Sequence, residues 1–127
     1  MTYGISKHVS LSYDEAIAKV TDELKKEGFG VLTTIDVKET LKKKIDVDVP
    51  RYIILGACNP PFAHKAIQAE QEIGLLLPCN VIVYEKENAV HVAAFDPQIM
   101  GALIDNPSLK PIADEVRTRL QRVMAAL

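Results

Sequence analysis

Helix-start signals alternate with β-branched runs along this chain, and that alternation confines it to folds in which helices cover a sheet. Ser12-Tyr13-Asp14-Glu15 has the form of a capping box: Ser12 can accept from the Glu15 amide while Glu15 reaches back to the Ser12 amide. Tyr13, Ile17, Val20 and Leu24 then fall at helical spacing as one apolar stripe, and Gly28 supplies a left-handed stop. Asp36 and Glu39 repeat the capping logic ahead of a short helix carrying Val37, Leu41 and Ile45. Asn59 is expected to cap a helix that Pro60 enters, at a position where a missing N–H costs nothing. Asn106-Pro107 opens the last helix, where Leu109, Ile112, Val116, Leu120, Val123 and Leu127 form the strongest amphipathic pattern in the chain.

Strands are expected between these helices. Residues 3–9 alternate weakly, residues 29–35 are rich in β-branched side chains, and residues 52–55 form a short apolar run suited to a buried strand. Val81 and Val83, then Val90, Val92 and Ala94, flank the turn Lys86-Glu87-Asn88 and read as a hairpin. Asp96-Pro97 closes that hairpin and starts a short helical turn with Ile99 and Met100. The order β-α-β-(α)-β-α-β-β-α reads as one small domain of mixed helices and strands, of α/β type, over residues 1–127. Helices would cover one face of a sheet that is at least partly antiparallel. Polar residues at alternate strand positions leave the other face either solvated or a partner interface.

Composition narrows the function classes. The chain has 127 residues, enough for one domain with its own core, and a net charge of −2. There is no basic excess of the kind that marks a nucleic-acid-binding face. Lys42-Lys43-Lys44 sits beside Glu39 and Asp46 and reads as a solvated helix face. The first residues lack a basic segment followed by an apolar run, and no apolar run approaches membrane-spanning length. A cytoplasmic protein with two reduced thiols is the expectation, with no nucleic-acid or membrane partner.

The features that most invite a functional reading are two Cys-Asn steps, Cys58-Asn59-Pro60-Pro61 and Pro78-Cys79-Asn80. Cys58 precedes a helix N-terminus, which favours thiolate over thiol. Pro60 and Pro61 remove two of the donors that would hold an anion there, and Asn59 is expected to occupy another. The plain alternative for each cysteine is a small buried hydrophobe at a strand end. If the strands ending near Cys58 and starting near Cys79 are antiparallel neighbours, the cysteines share one end of the sheet; if parallel, they lie at opposite ends. Only the first case permits a disulfide, which needs Cα atoms within about 7 Å. Cys58, His64 and Cys79 have the right chemistry for zinc, but their spacing matches no strong zinc pattern and there is no CxxC, so no metal or cofactor is expected. His8 and His91 fall in strands without an assignable role. No nucleotide loop, nucleophile elbow or metalloprotease motif occurs, and no nucleophile–base pair supports catalysis.

The segments Gly28-Phe29-Gly30-Val31-Leu32-Thr33, Ile35-Asp36-Val37, Leu55-Gly56-Ala57-Cys58-Asn59-Pro60 and Ile73-Gly74-Leu75-Leu76-Leu77-Pro78-Cys79-Asn80, with the final helix, resemble the domain of unknown function 302 family over nearly the whole chain. The resemblance implies an α+β fold with a β-α-β4-α core and a largely antiparallel sheet, similar to that of TATA-box-binding proteins, with helices packed on one face and small extra helices in the connections, and a homodimer of prokaryotic cytoplasmic origin. It also implies that Cys58 and Cys79 share one end of the sheet. It implies no reaction, and the fold likeness is no argument for DNA binding.

The leading expectation is therefore a non-catalytic homodimeric protein. It would hold a small ligand or partner in a pocket lined by several of Cys58, Asn59, Pro60, His64, Pro78, Cys79 and Asn80. A thiol redox or metal-handling role for Cys58 and Cys79 is the alternative, and a purely structural use of both blocks is the third.

Overall fold

In the computed structural model, which describes residues 2–127, the first helix begins as its capping box predicts. Ser12 Oγ accepts from the Glu15 N–H at 3.2 Å, and Glu15 Oε1 accepts from the Ser12 N–H at 3.0 Å. The helix, α1 (Tyr13–Lys26), buries Tyr13, Ala16, Val20 and Leu24. It ends in a glycine stop: Gly28 has φ 85°, its N–H donates to the Lys25 carbonyl at 3.1 Å, and the Phe29 N–H donates to the Leu24 carbonyl at 2.9 Å.

Five strands follow the predicted order: β1 (Gly4–Val9), β2 (Gly30–Asp36), β3 (Tyr52–Cys58), β4 (Cys79–Lys86) and β5 (Ala89–Phe95). They form one sheet in the order β1-β5-β4-β3-β2, and every neighbouring pair is antiparallel. The class is α+β, as expected. β3 runs on beyond Leu55 through Cys58, because β2 and β4 on its two sides supply ladder partners to its end. Lys86 pairs with Ala89, so the hairpin turn is the two residues Glu87 and Asn88, both at positive φ (53° and 62°) as a twist-matched two-residue turn requires.

Alternation divides the sheet. Leu55, Val81, Val83, Val92 and Ala94 face the helices and are buried. α1 and α5 (Lys110–Ala125) cover them, α5 contributing Val116, Leu120, Val123 and Met124 to the same core. Lys7, on that face of β1, donates its ammonium to the Met124 and Leu127 carbonyls at the end of α5, where the helix dipole favours a cation. Asn106 caps a 3₁₀ turn (Pro107–Leu109) that leads into α5. A smaller core of Ala66, Ile73, Met100 and Leu109 joins α3 (Pro60–Ala69), a 3₁₀ turn at Gln71–Leu76, and α4 (Gln98–Leu103).

Among the described residues no helix covers the opposite face, and apolar side chains stand on it. Ile35, Ile54, Ile82 and Ala93 stand in one row across β2, β3, β4 and β5. Beside them the rings of Tyr52, Tyr84, His91 and His8 succeed one another across β3, β4, β5 and β1, with centroids 5.5, 5.1 and 5.4 Å apart. At the β2 edge, α2 (Val37–Ile45) buries none of its residues. Its start is capped by Asp36, which accepts from the Glu39 N–H at 3.0 Å. Leu32, Ile35, Ile45 and Val47 all remain exposed here. No helix is long and apolar enough to cross a membrane among the described residues.

Candidate functional site

Ala57 of β3 stands opposite Cys79 of β4. The strand that ends at Cys58 and the strand that begins at Cys79 thus bring both cysteines to one end of the sheet. Both are free thiols, Cys58 half-buried and Cys79 buried. Burial, and secondarily the charge of Cys58, pushes the Cys79 thiol up to about 11. Cys79 is therefore protonated at neutral pH and a poor nucleophile.

After Cys58 the chain turns into α3. Pro60 and Pro61 take its first positions, as the sequence predicts, but the Asn59 side chain does not cap the helix. Instead its Nδ2 donates to the Glu27 carbonyl at 3.3 Å, and Arg119 Nη1 donates to the same oxygen at 3.0 Å. The carbonyls at the end of α1 need donors, and the prolines leave little for an Asn59 cap to satisfy. Gly28 makes room for the tie: a Cβ there would stand 3.1 Å from Asn59 Nδ2.

A cleft of about 380 Å³ opens at this corner. Ala57, Cys58 and Cys79 form its strand wall, and Leu77 and Pro78, joined by a cis peptide bond, lead into it. α3 contributes Phe62, Ala63, Ala66 and Ile67, α5 contributes Ile112, Ala113 and Val116, and Met100 comes from α4. Leu32 and Thr33 reach it from β2, where the register slips between Val31 and Thr33. No acidic, basic or histidine side chain lines the cleft among the described residues.

Of the residues singled out from sequence, Cys58, Asn59, Pro78 and Cys79 line this cleft, and Pro60, His64 and Asn80 do not. Pro60 and His64 are exposed on α3, whose inward side is taken by Phe62, Ala63, Ala66 and Ile67. Asn80 pairs with Gly56 on the uncovered face of the sheet, because successive strand residues point to opposite sides. The echo between the two Cys-Asn steps is therefore one of sequence: Asn59 faces the end of α1 and Asn80 faces away. The Cys58, His64, Cys79 triplet is not assembled, and no three His, Cys, Asp or Glu side chains converge on a metal position among the described residues.

Sequence reasoning missed most of the lining. Phe62, Ala66, Ile67, Ile112 and Val116 carry the helical spacing of core residues, and that signal does not separate a packed stripe from a cleft wall. Leu32 carried no signal beyond its place in a strand.

The family model described as "Domain of unknown function DUF302" matches residues 5–127. Among solved structures, the chain is similar to the crystal structure of an uncharacterized conserved protein DUF302 from Bacillus stearothermophilus. The TM-score is 0.92 at 28% identity, covering 99% of this chain and 98% of that one. No curated protein matches the chain.

Proposed function

The chain belongs to the family of domain of unknown function DUF302, and from that premise we propose that it is a homodimeric cytoplasmic binding protein whose cleft at the β3–α3 corner holds a small apolar molecule. The observation that carries this reading is a cleft of about 380 Å³ with a mostly apolar wall and no charged side chain in it. Ligand sites are concave, mostly apolar and of about this size, roughly 300–1,000 Å³. Filling such a cleft removes apolar surface from water, worth about 25 cal/mol per Å².

The uncovered sheet face supports the dimer. Two adjacent rows, one of Ile35, Ile54 and Ile82 and one of aromatic and imidazole rings, stand on it. An exposed apolar patch of this kind marks an interaction site.

The thiol redox or metal alternative is supported by two cysteines at one corner of the sheet. It is weakened by the burial that pushes Cys79 up to about 11.

The test is titration of the purified protein with an apolar fluorescent probe. The wild type should bind it. Ala63→Trp, which fills the cleft, and Ile67→Glu, which places a charge at its half-open wall, should each weaken binding at least tenfold, about 1.4 kcal/mol, with circular dichroism unchanged. A wild-type protein that binds no apolar probe would overturn the reading.

A further inference from the structure

The cleft carries no charge inside, but two cations lie close to the ring of one of its wall residues. Phe62 lines the cleft, and the Arg119 guanidinium carbon lies 5.0 Å from its ring centroid while Lys65 Nζ lies 5.5 Å from it. The two come from different elements, Lys65 from the turn of α3 that follows Phe62 and Arg119 from α5. Resting on the reading of the cleft as a binding site, we propose that its ligand is an amphiphilic anion: a medium-chain carboxylate with its tail in the cleft and its head at Lys65 and Arg119.

The two cations differ in freedom. Arg119 is held in place, its Nε donating to Glu115 at 2.9 Å and its Nη1 to the Glu27 carbonyl at 3.0 Å. Those bonds use two of the five donors of a guanidinium, which leaves three for a ligand. Lys65 has no carboxylate partner among the described residues. The nearby carboxylates are already engaged: Glu27 by Arg122 at 2.7 Å and Glu115 by Arg119. The Arg122 guanidinium also holds the Glu27 carboxyl below its ordinary range.

Size sets the tail. A cavity of about 150 Å³ accepts benzene, so one of about 380 Å³ has room for a chain of roughly eight to ten carbons.

The experiment titrates the wild type, Lys65→Gln and Ala63→Trp with octanoate, decanoate, octanol, decanol and decylamine, all below their micelle concentrations. The expected result is that the acids bind more tightly than the alcohols of equal length, and the amine most weakly. Two added methylenes should tighten binding roughly tenfold. Lys65→Gln should weaken decanoate about fivefold and leave decanol unchanged, while Ala63→Trp abolishes both. Alcohols that bind as well as acids, or a Lys65→Gln variant with unchanged decanoate affinity, would overturn the anionic head and leave the cleft reading standing. If no amphiphile binds and no apolar probe binds either, the cleft reading itself fails.

Discussion

Thr33 Oγ1 fills the space that a side chain at Gly56 would need. A Cβ built on Gly56 would collide with it and would stand 3.0 Å from Pro78 Cγ. The two residues are cross-strand partners just past the register slip in β2, and the missing side chain lets Thr33 and Pro78 approach β3 beside the cleft. Gly56 sits in a strand with ordinary φ, so its requirement is space rather than backbone freedom. Gly56→Ala should lower stability by about 1–3 kcal/mol, the range for overpacking, measured by urea denaturation. Thr33→Ala in the same chain should restore part of the loss; a double variant no more stable than Gly56→Ala would refute the contact.

The Cys79 thiol gives a signature at alkaline pH. Its native pKa is raised from 9.0 to about 11. The folded chain therefore keeps a proton that the unfolded chain loses. The stabilisation is fully present below pH 9 and is lost as pH climbs towards about 11. The wild type should lose on the order of 2–3 kcal/mol across that window from this group. Cys79→Ala should show a flatter profile between the same pH limits, and equal slopes would refute the assignment.

Thiol labelling should separate the two cysteines. Cys58 is half-buried at the cleft, and Cys79 is 8% exposed. With a maleimide at neutral pH, one equivalent should react in the native protein and the second only on unfolding. A cleft ligand should slow the first. Two equivalents consumed at the same rate would contradict the geometry.

Asp96 anchors the start of α4 to α5. It is 5% exposed, accepts from the Gln98 N–H at 3.0 Å, and takes Arg117 Nε at 3.0 and 3.3 Å. Asp96→Ala should cost about 2–4 kcal/mol, since it removes the buried acceptor of a part-buried backbone N–H and of a charged partner. Decanoate or probe affinity should fall no further than the fraction folded.

The uncovered face should govern assembly. Ile82→Lys places a charge in the middle of the apolar row without touching the helix-covered core. Light scattering should read a dimer for the wild type and a monomer for this variant, with an unchanged circular dichroism spectrum. A wild type that stays monomeric would remove the dimer from the proposal.

Local chemistry made the elements legible. The Ser12–Glu15 capping box, the Gly28 stop, the proline entry to α3 and the β4–β5 hairpin are all interactions between near neighbours, so their residues announce them. The α+β class and the corner at which the cysteine blocks lie follow from the same signals together with the family resemblance. What tertiary structure alone decided is which way the neighbouring side chains look. Asn59 and Asn80 occupy matching places in sequence but face the end of α1 and the uncovered sheet, respectively. Phe62 and Ile112 have the spacing of a packed core and do pack against it, yet they also wall a cleft, because helical periodicity says which side of a helix is apolar and not what lies against it. The same limit holds for the Cys-Asn steps: the chain by itself marked Cys58 and Cys79 as neighbours in style. Antiparallel pairing of β3 with β4, a long-range contact, made them neighbours in space, and burial raised the Cys79 pKa.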